Sequence, residues 1–340
     1  MAAVAYRGRV SSPAVRANRA HPGARPAGPR RRGRARPAVA GLTTTVLAAV
    51  GVWLTWRVFV GTAAGQRVDQ AVFQGAAFGR TRLWAVAEPV LEIISVPYIA
   101  VVLALAVVIA IARRRWALAV QVALLMGGAN LTTQLLKYVV LDRPDLGSTY
   151  VGANTLPSGH TTAAASVSAA LVFVVPPRGR PWAAVLGAVY TAGTGVSTLI
   201  GRWHRPSDVV AAVLVVLAWS GVACAFAAVS HPRTRADRAD GPALENGDAS
   251  TATGELLRLR ARGRRAPVLG VAGAFLVLAG LAAALPAAWA LHQSWTTPGA
   301  LATRAELLVA YGGGAFGVVA ASALAFAVLL AIRQRAGQAA

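Results

Sequence analysis

The sequence is poor in charge, and the charge that it has is mostly positive. Only 14% of the 340 residues are charged, 56% are hydrophobic, and 34 basic residues stand against 12 acidic ones. This composition excludes an ordinary soluble globular protein and is typical of a chain that crosses a membrane several times. The single cysteine, Cys224, excludes an intrachain disulfide and a cluster of thiolate metal ligands.

The excess of positive charge does not predict a nucleic-acid-binding protein. Arginines are concentrated near the amino terminus and in short connections between apolar runs, which is how membrane topology is encoded. Residues 1–37 combine arginine with proline, glycine and alanine, and we expect them to form a disordered basic tail in the cytoplasm. We therefore predict no nucleic-acid partner.

Eight apolar runs approach the roughly 20 residues that cross a bilayer. They lie at residues 38–60, 93–112, 116–137, 160–176, 181–200, 208–230, 267–291 and 307–332. Residues 61–92 show no clean period, and we interpret them as short helix or loop at the surface. Residues 231–266 are predicted to be a flexible linker between a core, 38–230, and a final pair of spans, 267–334. The expected fold class is an all-α polytopic membrane protein with eight spans.

The arginines also predict an orientation. If eight spans alternate, the arginines of the tail, the linker and the short turns all fall on one side, and the positive-inside rule places that side in the cytoplasm. Both termini would then be cytoplasmic, in a multi-pass protein of the cell membrane surrounded by membrane lipids. Gly313 and Gly317 have the small-xxx-small spacing of close helix packing, so a homodimer through the C-terminal helices is a possible partner arrangement.

Three polar clusters fall at helix ends on the opposite, extracytoplasmic face, at residues 137–144, 157–160 and 204–208. Lys137 is the only lysine in the chain, and Arg143 follows it closely. An ammonium and a guanidinium together predict a phosphate clamp, because lysine supplies a point charge and arginine a planar fork. Lys137 also fits a simpler interpretation as a residue that snorkels at a helix end.

The second and third clusters supply groups for phosphate chemistry. Ser158 and Gly159 stand where a helix begins, which is a favourable place for phosphate oxygens, and His160 could give a proton to a leaving alcohol. His204 and Asp208 are four residues apart, so the carboxylate can orient the imidazole and leave one ring nitrogen free to attack. Two alternatives remain open: helix caps beside interfacial histidines, and a metal site built on His160, His204 and Asp208.

The combination of motifs is more specific than any one of them. In chain order they are Lys137-xxxxx-Arg143-Pro144, Pro157-Ser158-Gly159-His160, and Ser197 followed by His204-xxx-Asp208. This order, on a six-helix core, resembles the type 2 phosphatidic acid phosphatase superfamily of membrane lipid phosphatases. The resemblance covers about residues 38–230 and leaves out the tail and the last two helices.

The resemblance implies a role for each residue of the motifs. His204 would be the nucleophile that forms a phosphohistidine, His160 the general acid, and Asp208 the residue that orients His204. The cradle for the phosphate would be formed by Lys137, Arg143, Ser158 and Gly159. No metal and no cofactor would be required.

The sequence departs from the family pattern at two places. Five residues, rather than six, separate the lysine from the Arg-Pro pair of the first motif. Thr198 stands where the family has its second phosphate-binding arginine. We predict that Arg202 takes over that role, and we expect Arg205, which immediately precedes a proline, to point toward lipid headgroups.

The sequence thus predicts a membrane phosphatase that acts on a lipid monophosphate or diphosphate at the extracytoplasmic face. Polyprenyl phosphates or diphosphates and phosphatidate-like lipids are the expected substrate classes. The main alternative is a catalytically weak lipid-phosphate-binding or transport-associated protein of the same fold, which the Thr198 substitution motivates. A second alternative is the metal-dependent hydrolase described above.

Overall fold

The computed structural model of the protein describes residues 32–92, 101, 104, 108, 112, 114–147, 153–230 and 270–338. Every secondary-structure element in these residues is helical, as predicted. The long helices are α1 (Arg32–Thr55), α2 (Ala63–Gly75), α3 (Arg80–Glu92), α4 (Trp116–Leu135), α5 (Gly159–Val174), α6 (Arg180–Ile200), α7 (Pro206–Ser230), α8 (Gly270–Thr296) and α9 (Arg304–Gln338). Two π-helical turns, Trp56–Val60 and Leu136–Val140, extend α1 and α4.

Six described segments are long and apolar enough to cross a membrane. They are Arg36–Val60, Trp116–Val140, Arg180–Ile200, Pro206–Val229, Gly270–Thr296 and Arg304–Ala336. The predicted span at 160–176 is the shorter helix α5, of 16 residues. Most of the predicted span at 93–112 lies outside the described residues, as do the linker at 231–266 and most of the basic tail. Six of the eight predicted spans are therefore supported, and the expectation of eight is not confirmed.

Helices α1 and α7 pack through small residues that let their backbones approach. A Cβ atom added at Gly41 would lie 2.6 Å from the carbonyl oxygen of Gly221, so neither position has room for a side chain. Next to this contact, the Thr45 hydroxyl donates to the carbonyl oxygen of Ala218 at 3.0 Å. Close packing and interhelical hydrogen bonds of this kind hold helices together in lipid, where hydrophobic burial offers little driving force.

Polar side chains inside the bundle pair with one another between helices α4 and α5. The hydroxyls of Thr133 and Thr162 are 2.9 Å apart, and the Asn130 side-chain amide donates to the Ser166 hydroxyl at 3.1 Å. These hydrogen bonds stabilise the bundle, because burying a polar group without a partner in a membrane interior costs on the order of several kcal/mol, as transfer of such a group from water to an apolar solvent does. These bonds fix α5, whose first residues carry the second motif.

The C-terminal helices α8 and α9 pack against the rest of the bundle. A Cβ atom added at Gly187 of α6 would lie 2.6 Å from the Phe326 ring of α9, and one at Gly314 would lie 2.7 Å from Pro206, the first residue of α7. Gly313 faces Ala290 of α8, with 2.4 Å between the two Cβ positions. Because Gly313 is used in this contact within the chain, the homodimer through the C-terminal helices stays a prediction.

Helix α2 differs from the expectation of a surface segment at 61–92. It is helical, but it is packed between α7, α9 and the loop after α4, and it buries Gln66 and Asp69 almost completely. The Gln66 side-chain amide donates to the carbonyl oxygens of Val60 and Pro144, both at 2.8 Å. The surface interpretation was therefore wrong for α2, which lies directly over the polar end of the bundle.

Candidate active site

The second and third polar clusters lie against each other at one end of the bundle. The backbone N–H of Ser158 donates to the carbonyl oxygen of Asp208 at 2.9 Å, which joins the start of α5 to the start of α7. The His160 and His204 rings have centroids 6.4 Å apart. The two rings are thus neighbours, inclined at 61° to each other, and the space that separates them is referred to as the gap.

His204 is held by the turn between α6 and α7. Arg202 takes a left-handed backbone conformation with φ of 57°, which reverses the chain after α6, and the His204 N–H reaches back to the Thr198 carbonyl oxygen at 3.4 Å. The Asp208 Oδ2 atom lies 3.1 Å from His204 Nδ1 and accepts the Arg205 N–H at 3.0 Å. Since Nδ1 is engaged by the carboxylate, Nε2 is the ring nitrogen left for attack on an electrophile.

The start of α5 presents His160 beside an open space. The Ser158 hydroxyl oxygen caps the helix by accepting the Thr161 N–H at 3.3 Å, and its own proton can still be donated to a ligand. A Cβ atom added at Gly159 would meet nothing within 4 Å, so the backbone there faces free space. This helix start has the properties of an anion site: uncovered backbone N–H groups and the positive end of the helix dipole.

Aromatic rings cover one side of the two histidines. Trp203 lies 5.2 Å from the His160 ring centroid, and Trp84 of α3 packs edge-on against Trp203 at 5.8 Å. Trp203 is still partly exposed, which suits a ring near a membrane interface. Trp84 was not a candidate from the sequence, because nothing local indicates that α3 folds back over the turn before α7.

The cations of the first motif lie at the same end of the bundle. Lys137 is half-buried at the π-helical end of α4, where its Nζ atom lies 5.5 Å from the Tyr138 ring centroid and acts electrostatically on His160. Arg143 is half-buried in the following loop and acts electrostatically on Asp69. Three side chains anchor this loop: Gln66, as described above, Asn154, which donates to the Leu141 carbonyl oxygen at 3.0 Å, and Trp56, whose Nε1 atom donates to the Asp142 carbonyl oxygen at 2.9 Å.

The guanidinium groups of the two arginines that flank His204 both lie over the Phe73 ring, Arg205 at 5.1 Å, but their hydrogen-bond partners differ. The Arg202 Nε atom donates to the Phe73 carbonyl oxygen at 3.1 Å, and its guanidinium lies over the Phe73 ring at 4.6 Å. Arg205 is only 1% exposed; its Nη2 atom donates to Gln70 at 2.9 Å and its Nη1 atom to the Thr155 hydroxyl at 3.4 Å. The expectation that Arg205 points toward lipid headgroups was wrong, because polar side chains of α2 and the second motif hold it inside the bundle.

Thr198, which replaces the family arginine, is fully buried in α6. Its hydroxyl donates to the Gly195 carbonyl oxygen at 2.7 Å, so it is engaged within its own helix. The phosphate-binding role that was predicted for Arg202 stays a prediction.

Helix α2 contributes residues that sequence reasoning missed. Asp69 is fully buried and accepts a short hydrogen bond from the Ser207 hydroxyl. Burial, followed by the negative charge of Asp208, raises the pKa of the Asp69 carboxyl to about 7. A signal was present in the sequence: Gln66, Asp69 and Gln70 follow helical spacing and so form one polar stripe. The interpretation of residues 61–92 as lacking a period overlooked it.

The metal alternative gains no support from the geometry. Within the described part of the chain, no group of three or more His, Cys, Asp or Glu side chains is arranged to hold a metal ion. His160, His204 and Asp208 share one end of the bundle, but the Asp208 carboxylate is directed to the imidazole and to a backbone N–H. That arrangement fixes the orientation of the His204 imidazole.

These features define a class: a multi-pass helical membrane protein with an oriented histidine, a second histidine and cationic side chains at one end of its bundle. Residues 116–231, about a third of the chain, match the model of the PAP2 superfamily, whose members generally hydrolyse phosphate esters. The match covers α4 to α7 with all the predicted site residues, and leaves α1 to α3, α8 and α9 outside. Searches of the curated proteins and of the solved structures found no match.

Proposed function

We propose that the protein is a membrane lipid phosphatase that works through a phosphohistidine on His204. The observation that carries this proposal is the hydrogen bond between His204 Nδ1 and Asp208, next to the gap that separates the imidazole from His160. An oriented nucleophile that faces a second imidazole fits in-line transfer of a phosphoryl group.

In the proposed first step, His204 Nε2 attacks phosphorus and the bond from phosphorus to the leaving oxygen breaks. Burial, followed by His204 and Lys137, lowers the pKa of the His160 imidazole, and the negative charge of a bound phosphate opposes this shift. His160 in its protonated form gives its proton to the leaving oxygen, and Asp208 stabilises the positive charge that develops on His204. In the second step a water molecule attacks phosphorus, the bond from nitrogen to phosphorus breaks, and His160 takes the proton of the water. Free phosphate leaves, and both histidines return to their starting state.

The phosphate oxygens would be bound by cations and helix-end donors. Lys137 and Arg143 supply charge, while the Ser158 hydroxyl and the Gly159 backbone N–H supply donors beside the gap. Such preorganised donors stabilise the charge that moves onto the phosphoryl oxygens, which supplies most of the rate enhancement in this kind of chemistry. Arg202 is proposed as a further phosphate ligand, and Arg205 is a second candidate for that role because it is buried beside His204.

The proposed substrate is a lipid phosphate, because the site lies at the ends of membrane-spanning helices. A polyprenyl phosphate or diphosphate, or a phosphatidate-like lipid, would place its apolar chain in the bilayer and its phosphate at the histidines.

We propose that the end of the bundle with the histidines faces the extracytoplasmic side of the cell membrane, which the arginine distribution supports. Cysteines at Ser148 and Gly247, in a Cys224→Ser background, should react with an impermeant thiol reagent in intact cells only at Ser148; labelling at Gly247 instead would reverse the orientation.

A weak binder of lipid phosphates is the second candidate, and Thr198 favours it because no guanidinium occupies the family position. Phosphate release by the detergent-purified protein across a panel of lipid phosphates separates the two, with and without a chelator. Turnover that His204→Ala abolishes supports the phosphatase. His292→Ala serves as the matched control, since this exposed histidine of α8 lies outside the site. Binding without turnover in the unmodified protein would establish the binder instead.

A further inference from the structure

Two arginines are buried at the end of the bundle that lies away from the histidines. Arg180 begins α6 and Arg333 stands near the end of α9; their exposed fractions are 9% and 8%. Helix α6 has 21 residues and ends beside the histidine site, so Arg180 lies about 30 Å from that site. The neighbouring arginines, Arg178 and Arg335, are exposed, as expected for residues that only encode topology.

The buried arginines have few partners. The Nε atoms of both are buried without a hydrogen bond, and the Nη2 atom of Arg333 reaches only the Phe173 carbonyl oxygen at 3.5 Å. Arg333 acts electrostatically on Arg180, and Cys224 interacts with both. In the described part of the chain, no carboxylate forms an ion pair with either arginine.

Two like charges that have no counter-ion among the described residues are an unfavourable arrangement in a protein interior. A buried cation is tolerated when an anion and hydrogen bonds compensate for its lost hydration, and here each positive charge also raises the energy of the other. Helix α6 adds to the positive potential, because its N-terminus begins at Gly179 without a side-chain cap. Buried guanidinium groups, unpartnered Nε atoms and an uncapped helix start therefore all favour the same kind of ligand.

We propose that Arg180 and Arg333 form a second anion site, which binds a phosphate group at the end of the bundle opposite the histidines. Guanidinium groups suit this ligand because their planar forks match phosphate oxygens. The phosphate can belong to the headgroup of an anionic phospholipid or to free inorganic phosphate. The site does not depend on the proposed phosphatase activity.

The site joins two parts of the chain. Arg180 belongs to the segment that matches the PAP2 superfamily, whereas Arg333 belongs to α9, which lies outside that match. Phosphate bound between them would fasten α9 to α6 at the end of the bundle away from the contact between Gly314 and Pro206. The ligand is thus expected to stabilise the docked position of the C-terminal helices.

Thermal unfolding of the detergent-purified protein tests the site. We expect phosphatidylglycerol to raise the Tm of the unmodified protein, and phosphatidylcholine, whose headgroup has no net charge, to leave it unchanged. The paired change Arg180→Gln with Arg333→Gln should abolish the rise, since removing each charge-assisted hydrogen bond to phosphate should weaken binding by about tenfold or more. The matched control, Arg178→Gln with Arg335→Gln, should keep it. Inorganic phosphate is tested in parallel. If inorganic phosphate raises the Tm and the glutamine pair abolishes this rise, free phosphate is a ligand of the site. If only phosphatidylglycerol raises the Tm, the ligand is the lipid headgroup.

A second measurement covers the case in which the glutamine pair fails to fold. Phospholipid retained through purification is quantified by mass spectrometry for the unmodified protein, for the control pair and for Arg180→Lys with Arg333→Lys. The lysine pair keeps both charges without the planar forks, so retention of anionic lipid should fall below that of the control pair. The proposal is overturned if the glutamine pair keeps the Tm rise, if the control pair is weakened as much as the buried pair, or if no phosphate ligand is retained or stabilises the protein.

Discussion

Arg205 gives the sharpest test of how the phosphate clamp is completed. Its guanidinium is almost fully buried and is held by Gln70 and the Thr155 hydroxyl, in a turn where Thr198 provides no positive charge. If this guanidinium serves the phosphate, removing it should cost roughly 2–4 kcal/mol of transition-state stabilisation, as loss of one charge-directed donor does elsewhere. We therefore expect Arg205→Ala to lower kcat/KM by about two orders of magnitude.

Arg205→Ala should also reduce stability, so activity and folding have to be measured together. The change removes two hydrogen bonds, each with a net contribution of about 0.5–1.5 kcal/mol. Phosphate release from a lipid phosphate gives kcat and KM, while Tm reports folding at the assay temperature. Arg205→Lys keeps the charge without the fork and should recover part of the activity. The exposed Arg304, at the start of α9, gives the control variant Arg304→Ala.

Arg202→Ala decides between the two arginines. The sequence favoured Arg202, whereas the buried contacts favour Arg205, because Arg202 already donates to the Phe73 carbonyl oxygen. If Arg202→Ala causes the hundredfold loss and Arg205→Ala lowers only Tm, the reasoning from burial is refuted and the original assignment stands. If both variants keep full activity in folded protein, neither arginine completes the clamp.

Three further predictions concern other sites. The pKa of Asp69 is about 7 in the folded protein, against an ordinary value of 3.8, so the folded state binds this proton more tightly than the unfolded state. The free energy of unfolding should therefore fall by roughly 4 kcal/mol as the pH rises from about 4 to 7. Unfolding curves of Asp69→Asn should lack this decline, and a pH dependence identical to that of the unmodified protein would contradict the prediction. His160→Ala should lower hydrolysis of an alkyl phosphate by about 10²- to 10⁴-fold but spare nitrophenyl phosphate, whose leaving group needs little protonation; equal losses on both substrates would remove His160 as the acid. Gly187→Ala should destabilise the protein by about 1–3 kcal/mol, because the Phe326 ring of α9 occupies the position of the added methyl group. Gly193→Ala in the same helix should not destabilise it, because a Cβ atom there meets nothing within 4 Å. Equal Tm values for the two variants would show that α9 does not pack against Gly187.

The sequence predicted the parts of the structure that depend on local pattern. Apolar runs of membrane length located six spans. The second and third motifs, which were predicted to lie on one face, are in contact at one end of the bundle. The pairing of His204 with Asp208 follows from a spacing of four residues at a helix start, since that spacing puts both side chains on one face.

Contacts between segments that are distant in sequence could not be predicted from local sequence patterns. Asp69 and Gln70 meet Ser207 and Arg205 across more than 130 residues of sequence. The helical period of their polar stripe indicates a polar face on α2, but it does not indicate that this face packs against α7. The directions of Arg202 and Arg205 were likewise not readable from their distance to His204. Arg202 itself is a left-handed residue in this turn, and both guanidinium groups reach the Phe73 ring of α2, which is distant in sequence.

The contact between Gly314 and Pro206 joins the C-terminal helix α9 to the turn that carries the candidate site. Pro206, in the first turn of α7, stands two residues after His204 and two before Asp208. Helix α9 packs so closely against this turn that a methyl group at Gly314 would not fit. A shift of α9 would therefore move the turn that carries His204 and Asp208, although α9 lies outside the segment that matches the superfamily.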